Sequence, residues 1–127
     1  MERALFQRLL HWKDSPLRKP LVLRGARQVG KTYLLTEFAK REYNNYIYVN
    51  FDEEPHFSSI FQENLDPERI IKDLSIYFKQ TIHPGATLII LDEIQDCPQA
   101  LASLKYFCEK KNNFHIAAAG SLLGVKL

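Results

Sequence analysis

Gly25, Gly30, Lys31 and Thr32 stand in the spacing G-x-x-x-x-G-K-[ST], directly after the apolar stretch "LVL" and before an apolar pattern of helical period. A second reactive pair, Asp92 and Glu93, ends the apolar run "TLIIL". Glycine at the two ends of such a loop lets the backbone approach a phosphate closely and adopt positive φ, so that successive N–H groups point inward. A helix starting at the loop aims its partial positive charge at the same anion. Lys31 supplies a point charge for the β- and γ-phosphates of a nucleoside triphosphate, and the Thr32 hydroxyl is a hard ligand for Mg²⁺. The cradle would therefore consist of Gly25, Ala26, Arg27, Gln28, Val29 and Gly30, with Lys31, Thr32 and Tyr33 opening the helix. Arg27 taken alone reads as a loop residue facing solvent.

Asp92 and Glu93 add the other half of a hydrolytic site. An acid emerging from a buried strand can hold water on Mg²⁺, which suits Asp92. A neighbouring carboxylate can orient and deprotonate an attacking water, which suits Glu93. By itself "LDE" also reads as a solvated acidic pair that ends a strand. The phosphate loop upstream favours the chemical reading, because both halves are needed together.

These residues require elements that bring them to one edge. Leu5, Phe6, Leu9, Leu10 and Trp12 predict a short amphipathic helix, broken by the prolines of "KDSPLRKP". "LVL" predicts a brief buried strand, and Leu34, Leu35, Phe38 and Ala39 one face of the helix after the loop. "YIYVNF" reads as a second strand. The tyrosines Tyr43, Tyr46 and Tyr48, with Phe51, read as core and strand surface. "DEEPHFSSIFQENL" is less regular, with a short helix within a loop. Asp66 then caps a firmer helix, with Pro67 at its first position and Ile70, Ile71, Leu74 and Phe78 on one face. "ATLIILDE" lacks alternation, as a strand buried on both faces does. Pro98 opens a helix with Leu101, Leu104, Phe107 and Cys108 inward, and "FHIAAAG" is a fourth strand. Strands alternating with helices argue for an α/β fold with a parallel sheet covered on both faces.

Composition sets the limits. The chain of 127 residues suits one domain, and 46% hydrophobic with 25% charged residues is ordinary for a globular one. A formal charge of +2, without a basic run, gives no support for nucleic-acid binding. No apolar run approaches the roughly 20 residues of a membrane-spanning helix. The first residues, "MERALFQRLLHW", lack the form of a signal peptide. Cys97 and Cys108 form no C-x-x-C motif and read as reduced, packed thiols, so a cytoplasmic location is expected. The four histidines lie apart, without metal-ligand spacing.

The stretches "LRGARQVGKTYLLTEFAK", "YVNFDE", "LIILDEIQDCP" and "AAAGSLLG" resemble the N-terminal ATPase domain of bacterial and archaeal AAA-type ATP-binding proteins that carry an uncharacterised C-terminal domain. The resemblance implies a P-loop NTPase three-layer sandwich with strand order 2-3-4-1 and the first strand at an edge. It implies a Walker A motif at residues 25 to 32 and a Walker B motif ending at Asp92 and Glu93, with ATP and Mg²⁺ as ligands. By similarity Asn50, ending the second strand, falls where such ATPases restrain the catalytic glutamate. Ser121, after the fourth strand, falls at a polar sensor of the γ-phosphate or attacking water. As residues alone, Asn50 is also a strand-ending cap and Ser121 a turn residue after Gly120.

The family pattern continues into a fifth strand, a lid and further domains, so residues 1–127 are expected to be the N-terminal part of an ATPase domain, truncated before the lid. Its own missing C-terminal region and a second copy are then the expected partners, and the isolated piece should hydrolyse ATP slowly. Two function classes stay open: Mg²⁺-dependent ATP hydrolysis, and an ATP-controlled regulatory or interaction module with little turnover. Glu93 favours the first. A small-molecule phosphotransferase would need a basic lid cluster, and a GTPase an N-K-x-D motif; the sequence shows neither.

Overall fold

Branched and aromatic residues dominate three of the strands and alanines the last, and the helices place apolar faces against them. The computed structural model describes residues 3–25 and 29–121, with Val29 described by its backbone alone. Helix α1 (Arg3–Asp14) precedes strand β1 (Leu21–Gly25), helix α2 (Val29–Glu42) and strand β2 (Asn45–Asn50). Two short helices follow, α3 (Ser58–Glu63) after a 3₁₀ turn at Pro55–Phe57, and α4 (Pro67–Phe78). Strand β3 (Thr87–Asp92), a 3₁₀ turn at Ile94–Asp96, helix α5 (Pro98–Lys110) and strand β4 (His115–Ser121) complete the order.

The four strands form one parallel sheet in the order β1-β4-β3-β2, which is the expected 2-3-4-1 with β1 at an edge. Register aligns Asn50 with Asp92 and Gly25 with Ser121, so the chemically loaded residues share the carboxyl edge of the sheet. Both central strands are buried throughout, apart from the half-buried Ser121 at the end of β4. That explains the absence of alternation in "TLIIL": helices cover both sheet faces.

One face carries Leu88, Ile90, Ala117 and Ala119, packed with Leu9 of α1 and Leu34, Leu35 and Phe38 of α2. The other carries Ile47, Val49, Ile89, Leu91 and Ile116, packed with Phe61 of α3, Ile70 and Leu74 of α4, and Leu104 and Phe107 of α5. Fully burying one such side chain contributes about 1.5–3 kcal/mol. The connection from β1 leaves on the first face and those from β2 and β3 on the second. Chain paths therefore diverge at the carboxyl edge, where α/β sheets of this kind open a crevice.

Local signals agree with this architecture. Asp66 accepts a hydrogen bond from the Glu68 N–H and Pro67 opens α4, as its capping pattern predicts. Arg69 staples α3 to α4 by donating to the Ile60 and Asn64 carbonyls. At the far end of β4, buried His115 bonds the Tyr43 hydroxyl at 2.7 Å and meets Trp12 edge-on. Burial and the nearby Arg18 and Lys13 charges, against an opposing Asp14, lower its pKa to about 4, so the ring is neutral in the fold.

Four expectations shift. Ser121 is the last residue of β4 and pairs with Gly25, because parallel pairing with β1 extends the strand past Gly120. Phe51 lies just beyond β2, its N–H still bonded to the Asp92 carbonyl. Cys97 is buried, whereas Leu101 and Cys108 are only half-buried, since Ala100, Ser103, Leu104 and Phe107 form the inward face of α5. Tyr48 does more than line the strand, as its hydroxyl contacts below show. Among the described residues no helix is long and apolar enough to cross a membrane.

Candidate functional site

β1 ends at Gly25 with φ +157°, a conformation that residues with a Cβ rarely adopt. A Cβ there would also touch the Lys31 ammonium at 3.8 Å. α2 is already helical at Gly30, so Lys31 and Thr32 sit in its first turn, where the helix presents free N–H groups and its positive end. Ala26, Arg27 and Gln28, and the side chain of Val29, lie outside the described residues. Tyr33 is about half exposed, at 54%.

Lys31 reaches back over the sheet edge. Its Nζ donates to the Gly120 carbonyl at 3.0 Å and the Gly25 carbonyl at 3.3 Å, linking the ends of β4 and β1. Thr32 faces β3: its Oγ1 donates to Asp92 Oδ2 at 2.6 Å across 60 residues of sequence. That bond brings the two motifs into one site.

Asp92 is buried, 4% exposed, and its carboxylate accepts hydrogen bonds from Thr32, Tyr48 and the Glu93 backbone. Oδ2 accepts from Thr32 and from the Tyr48 hydroxyl at 2.5 Å, while Oδ1 accepts from the Glu93 N–H at 2.9 Å. Burial, then the Asp92 hydrogen bond, pushes the Tyr48 pKa up to about 12. Tyr48 is thus a donor throughout the neutral range, and Asp92 receives its proton side. Sequence reading missed this role; the available signal was alternation, which puts residues 48 and 50 of β2 on one face.

Asn50 also belongs to the cluster. Its Nδ2 donates to Tyr48 Oη at 3.2 Å, and its Oδ1 accepts from the Asp52 and Glu53 N–H groups at 2.9 Å each. The carboxamide therefore caps the turn after β2 and steadies the tyrosine. Its link to the acidic pair runs through Tyr48 and Asp92.

Glu93 leaves β3 in the left-handed region, φ 52° and ψ 47°, which is uncommon for a residue with a side chain. The kink turns its carboxylate out of the strand, and Oε1 accepts from Gln95 Nε2 at 2.7 Å. Gln95 Oε1 in turn accepts from the Ser121 N–H at 3.1 Å. Lys31, Thr32, Asn50, Asp92, Glu93 and Ser121 thus meet at one edge.

The oxygen donors fit Mg²⁺. Thr32 Oγ1 and the Asp92 carboxylate are hard ligands 2.6 Å apart. Among the described residues no cluster of three or more His, Cys, Asp or Glu forms a metal cage. Mg²⁺ ordinarily takes one or two protein oxygens, with water and substrate phosphates for the rest.

Removing the Tyr48 hydroxyl should measurably loosen this site. Tyr48→Phe keeps the ring but takes a donor from buried Asp92 and an acceptor from Asn50, so the chain should lose about 1–3 kcal/mol of unfolding free energy. Urea denaturation compares the two proteins; stability within experimental error of the parent would show that the hydroxyl holds nothing.

No curated protein matches the sequence. A family model described as an AAA domain matches residues 17–126, from before β1 through all four strands, and the chain belongs to that AAA-domain family.

Proposed function

We propose that this domain binds ATP with Mg²⁺ at the carboxyl edge of its sheet and hydrolyses the γ-phosphate anhydride. Membership of the AAA-domain family carries nucleotide binding of the ATPase kind. The observation that supports hydrolysis best is the 2.6 Å bond between Thr32 and Asp92, with Lys31 one residue before Thr32 and Glu93 one after Asp92.

In this reading the first turn of α2, the loop amides of residues 25–30 and Lys31 bind the β- and γ-phosphates. Thr32 and Asp92 would hold Mg²⁺, directly or through its water. Bound there, the ion would neutralise charge on the phosphate oxygens. Glu93 orients a water in line with the γ-phosphorus and accepts its proton as the new P–O bond forms. The bond from the γ-phosphorus to the bridging oxygen breaks, and ADP leaves with that electron pair. Lys31 and the amides stabilise the charge that develops on the way. Asn50 and Ser121 complete the edge, Asn50 through Tyr48 and Ser121 beside Gly120, whose carbonyl Lys31 holds.

Phosphate release from ATP, followed with Mg²⁺ and then with the metal chelated, tests the reaction. Release should require the metal and disappear with a chelator. ATP bound tightly in Mg²⁺ without any phosphate release would favour an ATP-controlled interaction module instead.

A further inference from the structure

Gln95 lies in the 3₁₀ turn Ile94–Asp96, just past the acidic pair, and its carboxamide makes two hydrogen bonds of opposite sense. Nε2 donates to Glu93 Oε1 at 2.7 Å, and Oε1 accepts from the Ser121 N–H at 3.1 Å. The amide has only one orientation here. A carboxylate can only accept and a backbone N–H can only donate, so flipping the group would set oxygen against oxygen and N–H against N–H.

Its anchor is firm. The Gly120–Ser121 peptide that Gln95 grips is held on its other side, where the Gly120 carbonyl accepts from Lys31 Nζ at 3.0 Å. It also sits in β4, in register with Arg24 and Gly25 of β1. Donation to a carbonyl polarises the peptide and strengthens its N–H as a donor. One continuous path thus runs from the lysine at the phosphate loop, through a peptide of the sheet and the Gln95 amide, to the Glu93 carboxylate. Glu93 itself has left the strand, its backbone in the left-handed region, so this bond ties its carboxylate to the sheet it has just departed.

We infer that Gln95 is a positioning residue for hydrolysis: it ties the Glu93 carboxylate to the end of β4 and sets where that carboxylate meets the attacking water. This rests on the reading of Glu93 as the base. Gln95 touches neither nucleotide nor water in this role, so it should act on turnover and leave ATP affinity alone.

Gln95→Met keeps length and volume but removes both hydrogen bonds. Turnover should fall about tenfold or more, below the full cost of losing a general base. The dissociation constant for a slowly hydrolysed ATP analogue should stay within about twofold of the parent, since the cradle is intact. Gln95→Glu places a second carboxylate against Glu93 and should be slowed at least as much. The decisive comparison uses the Glu93→Gln background. Adding Gln95→Met there should slow turnover no further, because the residue acts through Glu93. Equal extra losses in both backgrounds, or weakened analogue binding in step with turnover, would mean a merely structural role. Parent-like turnover of Gln95→Met with a slow Glu93→Gln would overturn the inference and leave Glu93 as the base. Parent-like turnover of Glu93→Gln would overturn the reading of Glu93 itself. Should Gln95→Met fold poorly by thermal denaturation, Gln95→Glu in the two backgrounds gives the same comparison.

Discussion

Glu93→Gln should bind Mg-ATP as the parent does and hydrolyse it about 10²–10⁴-fold more slowly, the usual cost of removing a general base. The substitution is almost isosteric. A glutamine at this position keeps an oxygen that can accept from Gln95 Nε2, and the backbone N–H remains to bond Asp92 Oδ1. The left-handed backbone at φ 52° is no harder for glutamine than for glutamate, so the turn into Ile94–Asp96 should survive. Only the capacity to take a proton from water is lost. Holding a residue with a side chain in that region costs on the order of 1 kcal/mol or more, and such strain concentrates at functional positions. Here it turns the carboxylate away from the buried end of β3 towards the sheet edge. Single-turnover phosphate release alongside equilibrium nucleotide binding separates the two effects. A mutant that releases phosphate at the parent rate would remove Glu93 from the chemistry.

Legibility of the site followed the distance over which each contact is encoded. Lys31 and Thr32 could be placed because the strand that ends at Gly25 and the helix they open are close neighbours in sequence. Asp92 and Glu93 could be read because a fully apolar strand ends in them. Strand order came from resemblance, and the sheet has it. Tyr48 was hidden because its partner lies 44 residues away, and their meeting depends on the register that sets Asn50 beside Asp92. Aromatic content in a strand looks the same whether a hydroxyl faces solvent or a buried carboxylate. Gln95 was hidden for a related reason. Its second bond goes to the end of β4, 26 residues on, and exists only once β3 and β4 are adjacent. Asn50 admitted both a capping and a restraining reading from sequence. Its carboxamide makes the cap, through Asp52 and Glu53, and reaches the acidic pair by way of Tyr48.

Lys31→Ala should weaken binding of Mg-ATP about 10- to 100-fold while leaving the domain folded. The magnitude follows from one hydrogen bond between an ammonium and a phosphate, worth about 1.5–3 kcal/mol, at 1.4 kcal/mol for each tenfold change in affinity. The present contacts of Lys31 explain why the fold should tolerate the loss. Its two acceptors are carbonyls at the carboxyl ends of β1 and β4, in a part-buried region, and the strands there are also paired with each other through Gly25 and Ser121. Neither of the two core clusters includes the lysine. The same contacts imply a sharing on binding: the ammonium has three N–H donors to divide between the Gly120 carbonyl, the longer Gly25 contact and phosphate oxygens, so part of the gross attraction is offset. The net loss in the mutant should therefore fall towards the lower end of the range. Calorimetric titration with ATP and with ADP, beside a thermal melt of each protein, measures both consequences. Unchanged affinity in a folded Lys31→Ala chain would place the phosphates elsewhere and sink the assignment of this edge as the nucleotide site.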